Sequence, residues 1–73
     1  MNEKLKLSEF VKTRRKSVKL TQVQLALKAG VGLRLLRDIE QGKENLQLNK
    51  VNQVLSLFGY GMAPVSVKPK GEV

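Results

Sequence analysis

The side chains best suited to chemistry in this chain are Leu33, Arg34, Arg37 and Asp38. Arginine can donate two parallel hydrogen bonds to O6 and N7 of guanine, and leucine can pack on the methyl group of thymine. Asp38 either accepts a hydrogen bond from cytosine or orients Arg34 or Arg37 through a local ion pair. Together, these residue types favour the reading of base edges in a duplex.

The net charge of the chain agrees with a polyanionic partner. Its 73 residues carry 14 Lys and Arg against 6 Asp and Glu, a formal charge of +8. Nucleic acid is the first candidate and an anionic membrane surface the second. Single-strand binders stack bases on exposed rings, and the only aromatic residues are Phe10, Phe58 and Tyr60, so we expect double-stranded DNA.

Other classes of function find little support in the composition. Cysteine and histidine are absent, and the six acidic residues are scattered rather than paired. We therefore predict that the chain is not an enzyme, has no catalytic residue and needs no metal, cofactor or small-molecule substrate. No stretch resembles a membrane span or a signal peptide, so we expect a cytoplasmic, nucleoid-associated protein.

Two short helices joined by a glycine turn must position the candidate reading residues. Thr21 and Gln24 form a capping-box pattern, which predicts a helix that begins at Gln22 and ends before Gly30. A second helix is predicted from about Leu33 to Gln41. The apolar spacing predicts these core positions on the two helices: Leu25, Ala26, Ala29, Leu36 and Ile39. The pattern is that of a helix-turn-helix, in which the first residues of the second helix reach the base edges.

Two further helices flank this unit. One is predicted over Ser8–Ser17 with Ser8 as its N-cap, and the other over Lys50–Phe58 with Asn49 as its N-cap. Leu48 is expected on the core face of the latter helix. The basic run at residues 14–16 either contacts phosphate or forms a solvated face, and the second interpretation is favoured.

The segment after the last helix has a different period. Tyr60 and Met62 are two residues apart, as are Val65 and Val67, a spacing that predicts a short strand. Such a strand needs a partner, and the same strand of a second copy would supply it, so we expect Tyr60, Met62 and Val65 at a homodimer interface. The alternative is an irregular tail lying over the last helix.

Four segments carry a resemblance to a known family. They are residues 30–34 (GVGLR), 38–43 (DIEQGK), 50–55 (KVNQVL) and 58–65 (FGYGMAPV). They resemble the Cro/phage-repressor-like (Xre) family and, within it, HipB-type antitoxin repressors of the y4mF subgroup. The resemblance implies a mainly α, four- to five-helix domain whose short C-terminal β-strand pairs across a homodimer.

The composition predicts a polar arm and tail on either side of the folded part, and the resemblance implies roles for individual residues. Residues 1–7 would form a frayed arm, 8–59 the DNA-binding domain, 60–67 the dimerisation strand and 68–73 a disordered tail. Arg15 would pair with Glu40, and Gln22 would join the base-reading set. The implied phosphate contacts are Thr21, Gln24, Lys43 and Asn45.

The implied function is a sequence-specific transcriptional repressor that binds an inverted repeat. HipB-type proteins are also antitoxins that restrain a HipA-like serine/threonine kinase toxin. Two alternatives stay open, a stand-alone Xre-type regulator and an interaction adaptor that keeps the fold without reading DNA. The leucine-rich start of the second helix, residues 33–36, is the feature that favours the adaptor.

Overall fold

Four α-helices and one 3-10 turn make up the fold in the computed structural model, which describes residues 6–64 and 66. The helices are α1 (Leu7–Ser17), α2 (Gln22–Ala29), α3 (Leu33–Glu40) and α4 (Leu48–Leu55), and the 3-10 turn is Ser56–Phe58. The mainly α class and the helix count agree with the prediction. Residues 1–5 of the predicted arm, Val65 and Val67 of the predicted strand, and the predicted tail at 68–73 lie outside the described residues.

Helix α1 begins one residue earlier than predicted, and Ser8 is not its N-cap. Lys6 occupies the cap position, and its carbonyl accepts the amide hydrogen of Phe10 at 2.8 Å. The earlier start places Leu7 as a half-buried apolar residue against the core. Burial of this leucine takes the place of a side-chain cap, which α1 lacks.

Helix α2 has the predicted ends. The amide of Gln24 donates to Thr21 Oγ1 at 3.1 Å, and the amide of Thr21 donates to Gln24 Oε1 at 2.9 Å. Gly30 ends the helix with φ of +73°, a backbone conformation that glycine adopts without steric cost. Gln53 of α4 donates from Nε2 to the carbonyls of Ala29 and Gly30, so the turn before α3 is tied to α4.

A single apolar core holds the four helices together. All five core positions predicted on α2 and α3 are buried, and α1 and α4 complete the cluster with Val11, Val51, Val54 and Leu55. The prediction for Leu48 is wrong, because this leucine is 57% exposed. Gln47 rather than Asn49 is the N-cap, so Leu48 is the first residue of α4. The buried residues of this helix begin three positions later, at Val51.

The chain after the 3-10 turn forms no strand over residues 60–64 and 66. The amide of Tyr60 donates to the carbonyl of Leu55 at 3.1 Å, and the amide of Met62 donates to Asn52 Oδ1 at 2.7 Å. The Tyr60 ring meets Phe10 of α1 edge-to-face at 4.7 Å, and its hydroxyl accepts from Arg14 at 3.0 Å. Within one chain this segment is irregular, and its pairing with a second copy stays a prediction.

The described part of the chain has neither a membrane-spanning helix nor a cluster of metal-ligating residues. No helix there is long and apolar enough to cross a bilayer. The same part of the chain contains no group of three or more acidic residues placed to hold a metal ion.

Candidate nucleic-acid interface

The outer side of α3 and the turn after it form an open cleft of about 290 Å³. Its lining includes four residues predicted to read bases, Leu33, Arg34, Arg37 and Asp38, and Lys43, which was predicted to contact phosphate. Gln41 completes the lining and was not predicted. The three inward residues of the same helix, Leu36, Ile39 and Glu40, are buried. Helix α3 therefore separates a packing side from a solvent-facing, mostly polar side.

The two arginines of the cleft are available to a ligand. Arg34 and Arg37 are both exposed, and neither forms a salt bridge within residues 6–64. Each guanidinium therefore keeps its full set of five N–H donors for an external acceptor. Leu33 lies beside them and is half-buried, so part of its side chain can contact a ligand.

Asp38 forms an ion pair with Lys43 instead of the predicted pair with Arg34 or Arg37. Its Oδ1 lies 3.7 Å from Lys43 Nζ, rather than against Arg34 or Arg37. The two residues are also joined through the backbone, because the amide of Lys43 donates to the carbonyl of Asp38 at 3.1 Å. These contacts hold the turn after α3 against the cleft and partly neutralise the charge of Lys43.

The N-terminus of α2 presents a second set of donors. Thr21 and Gln24 use oxygen atoms as acceptors in the capping box, so the Thr21 hydroxyl hydrogen and the Gln24 amide hydrogens stay free to donate. Both side chains are exposed. A helix N-terminus with free donors is suited to binding phosphate. Asn45 is exposed in the loop before α4 and does not line the cleft.

Gln22 has a structural contact that the sequence did not reveal. Its Nε2 donates to Glu40 Oε1 at 3.0 Å, which ties the start of α2 to the end of α3. The side chain is half-buried and keeps one amide hydrogen and its oxygen for a base or a phosphate.

Glu40 is the point at which three helices meet. Arg15 of α1 donates from Nε to Glu40 Oε2 at 2.7 Å and from Nη2 to Glu40 Oε1 at 3.0 Å. Burial raises the pKa of Glu40, but hydrogen bonds from Arg15 and Gln22 and the charges of Arg15 and Lys12 outweigh it, so the pKa lies below its usual value. Glu40 therefore stays ionised at neutral pH and fixes α3 against α1 and α2.

Comparison with known proteins places this arrangement in a family. The model of a family described as helix-turn-helix matches residues 11–65, three quarters of the chain. The chain belongs to the helix-turn-helix family. It is also 45% identical over 53 residues to a protein of Sinorhizobium fredii (strain NBRC 101917 / NGR234) named as an uncharacterized HTH-type transcriptional regulator, y4mF. The match covers 73% of this chain and 70% of that relative.

Two contributors to the surface of this helix-turn-helix protein were not among the predicted site residues. Gln41 lines the cleft, and its spacing of four and three residues from Arg37 and Asp38 is the signal that places it on their side of the helix. Arg14 was assigned only to a basic run. In the structure its guanidinium lies 5.4 Å from the Phe10 ring centre and 5.2 Å from that of Tyr60, which anchors the C-terminal segment to α1.

Proposed function

We propose that this helix-turn-helix protein is a transcriptional regulator that binds duplex DNA sequence-specifically and represses transcription. The observation that carries the proposal is the cleft on α3, where two exposed arginines with no salt bridge to any described residue lie beside Leu33 and the Asp38–Lys43 pair. In this binding mode α3 enters the major groove and Arg34 and Arg37 donate to guanine. Thr21, Gln24, Lys43 and Asn45 contact the flanking phosphates.

The regulator acts as a homodimer in this proposal. Tyr60 and Met62 are exposed apolar residues, and they border an apolar cleft of about 200 Å³ that also includes Leu7, Phe10 and Leu55. The Met62 amide is bonded to Asn52, and the other backbone groups of residues 61–64 have no hydrogen bond to the described chain, so they stay free for strand pairing. A two-fold dimer would present two α3 helices, so the operator would be an inverted repeat.

Selection of duplexes from a random pool tests this function directly. The full chain should enrich an inverted repeat whose half-sites lie about one helical turn apart, roughly 10 base pairs. Footprinting on the enriched duplex should then protect both half-sites. Enrichment of single half-sites would refute the dimer, and enrichment of no sequence would refute base reading.

Two substitutions separate base reading from phosphate contact. Arg34→Ala should weaken operator binding by about 1–3 kcal/mol and relax the base preference, while Lys43→Ala should weaken binding to all duplexes and lower the salt slope by about one unit. Lys28→Ala is the matched control, because Lys28 is an exposed lysine of α2 that does not line the cleft. Equal losses for Arg34→Ala on operator and random DNA would show that α3 does not read the bases.

An antitoxin role is the second part of the proposal. HipB-type proteins bind a HipA-like kinase, and the exposed Val23 and Leu27 on α2 offer this chain an apolar contact surface for such a partner. Co-purification with a serine/threonine kinase, lost in Leu27→Ser, would support the role, and a stand-alone regulator would show no kinase. The adaptor alternative is weakened because Leu36 is buried and Leu35 packs against the core, so two of the three leucines serve the fold.

A further inference from the structure

A second apolar groove lies away from the candidate DNA interface. It has a volume of about 310 Å³ and is built by the turn after α1, one side of α2 and the 3-10 turn: Val18, Leu20, Leu25, Lys28, Leu57 and Phe58. No residue of α3 or of the loop after it contributes to the lining. The groove is thus structurally separate from the cleft that holds Arg34 and Arg37.

The groove leaves two large apolar side chains about half exposed. Val18 is 51% and Leu57 is 45% exposed, while Leu20 and Phe58 are half-buried beneath them. Its volume is at the lower end of the range of about 300–1,000 Å³ that is typical of ligand pockets. It is large enough for a few apolar side chains of a short segment, such as the anchors that a helix inserts into a groove.

Within the described chain, the charged residue that lines the groove is a lysine. Lys28 lines it and Lys19 lies between Val18 and Leu20 in the chain. The elements that build it, residues 18–30 and 48–58, contain no Asp or Glu. Acidic residues of the described chain lie instead on the first turn of α1, on α3 and in the loop after α3, at Glu9, Asp38, Glu40 and Glu44.

We propose that this groove binds a short acidic segment of another protein, which inserts leucine or phenylalanine side chains between Val18 and Leu57 and places carboxylates near Lys28. An apolar floor with a lysine at its rim, built by elements that contain no acidic residue, complements that chemistry. A second copy of the chain fits poorly, because a two-fold contact here would set lysines against lysines. Duplex DNA also fits poorly, because the apolar floor offers no donors to phosphate.

The test uses two labelled helical peptides with identical leucine and phenylalanine anchors at every third and fourth position. The remaining positions are glutamate in the acidic probe and lysine in the basic probe. Fluorescence anisotropy with the full chain should show binding of the acidic probe alone, and binding should weaken as salt rises. In amide NMR spectra the largest shifts should fall at residues 18–20, Lys28 and Ser56–Phe58.

Three variants connect the binding to the groove. The double variant Val18→Ser, Leu57→Ser alters exposed side chains and should keep the circular dichroism spectrum and the melting curve, but reduce affinity for the acidic probe at least tenfold. Leu48→Ser is the control, because Leu48 is a 57% exposed leucine of α4 that lies outside the groove. Lys28→Glu should reverse the preference: the variant should no longer bind the acidic probe and should bind the basic probe.

Several results would overturn this proposal. Equal affinity for the two probes would show that the charge of the rim has no role. Shifts centred on α3, or displacement of the probe by duplex DNA, would show that the acidic probe only imitates DNA at the reading cleft. The proposal does not depend on operator binding, since the probe should bind equally well with and without a bound duplex.

Discussion

The ion pair between Arg15 and Glu40 leads to the sharpest stability prediction. The substitution Glu40→Gln keeps the shape of the side chain but removes the charge of the carboxylate, which accepts two hydrogen bonds from Arg15 and one from Gln22. The Arg15 side chain is 12% exposed and that of Glu40 is 3% exposed. The substitution would therefore leave a mostly buried guanidinium without its counter-charge.

The size of the loss follows from these contacts. Breaking a buried ion pair by removal of one partner costs about 3–5 kcal/mol. Arg15 keeps some solvent contact and still donates to the carbonyl of Leu20 at 2.9 Å, so we expect the lower end, about 3 kcal/mol. At about 0.05–0.15 kcal/mol per residue, a chain of 73 residues has a free energy of unfolding of about 4–11 kcal/mol. The loss would be a quarter or more of that total.

A double-mutant cycle measures the coupling. Urea unfolding, followed by circular dichroism at pH 7, would be recorded for the parent chain, Arg15→Gln, Glu40→Gln and the double variant. We expect a coupling free energy of about 2 kcal/mol, within the range found for residues in direct contact. A coupling below about 0.5 kcal/mol would mean that the two side chains contribute independently, and the argument from burial would be wrong.

Three further outcomes can be checked. Because the pKa of Glu40 is lowered in the folded chain, its contribution to stability is complete above the usual glutamate pKa of about 4.3 and is lost as pH falls through the folded value. The free energy of unfolding should therefore fall less steeply with decreasing pH in Glu40→Gln than in the parent chain. Gly30→Ala should destabilise more than Gly59→Ala in thermal melts: both have φ near +75°, but only at Gly30 would the new Cβ crowd another group, Gln53 Nε2, at 3.2 Å. Asp38→Asn should raise affinity for random duplexes about threefold at low salt, and weaker binding would contradict the assigned pairing with the lysine.

Much of the scaffold could be predicted from local sequence signals. The capping box at Thr21 and Gln24 and the turn at Gly30 depend on residues within a few positions of each other, so the ends of α2 were predicted correctly. Apolar spacing likewise identified the inward side of α3. The start of α4 was misplaced because no side-chain cap marks it, and Leu48 was consequently assigned to the core.

Contacts between distant segments could not be predicted from spacing alone. Arg14 stacks against Tyr60, 46 residues away, and Gln22 donates to Glu40, 18 residues away. Asp38 has several basic neighbours in the chain, and only the three-dimensional path of the turn selects Lys43. The Arg15–Glu40 contact was expected from family resemblance, which carries long-range information that composition and periodicity lack.

The division of α3 into a buried and an exposed side has a consequence for how such a protein can diversify. The anchoring contacts use Leu36, Ile39 and Glu40, while Arg34 and Arg37 make no salt bridge within the described chain. Exchange of the exposed residues should therefore alter the preferred DNA site at little cost in folding stability. New operator preferences could be grafted onto this scaffold one residue at a time, with each intermediate still folded.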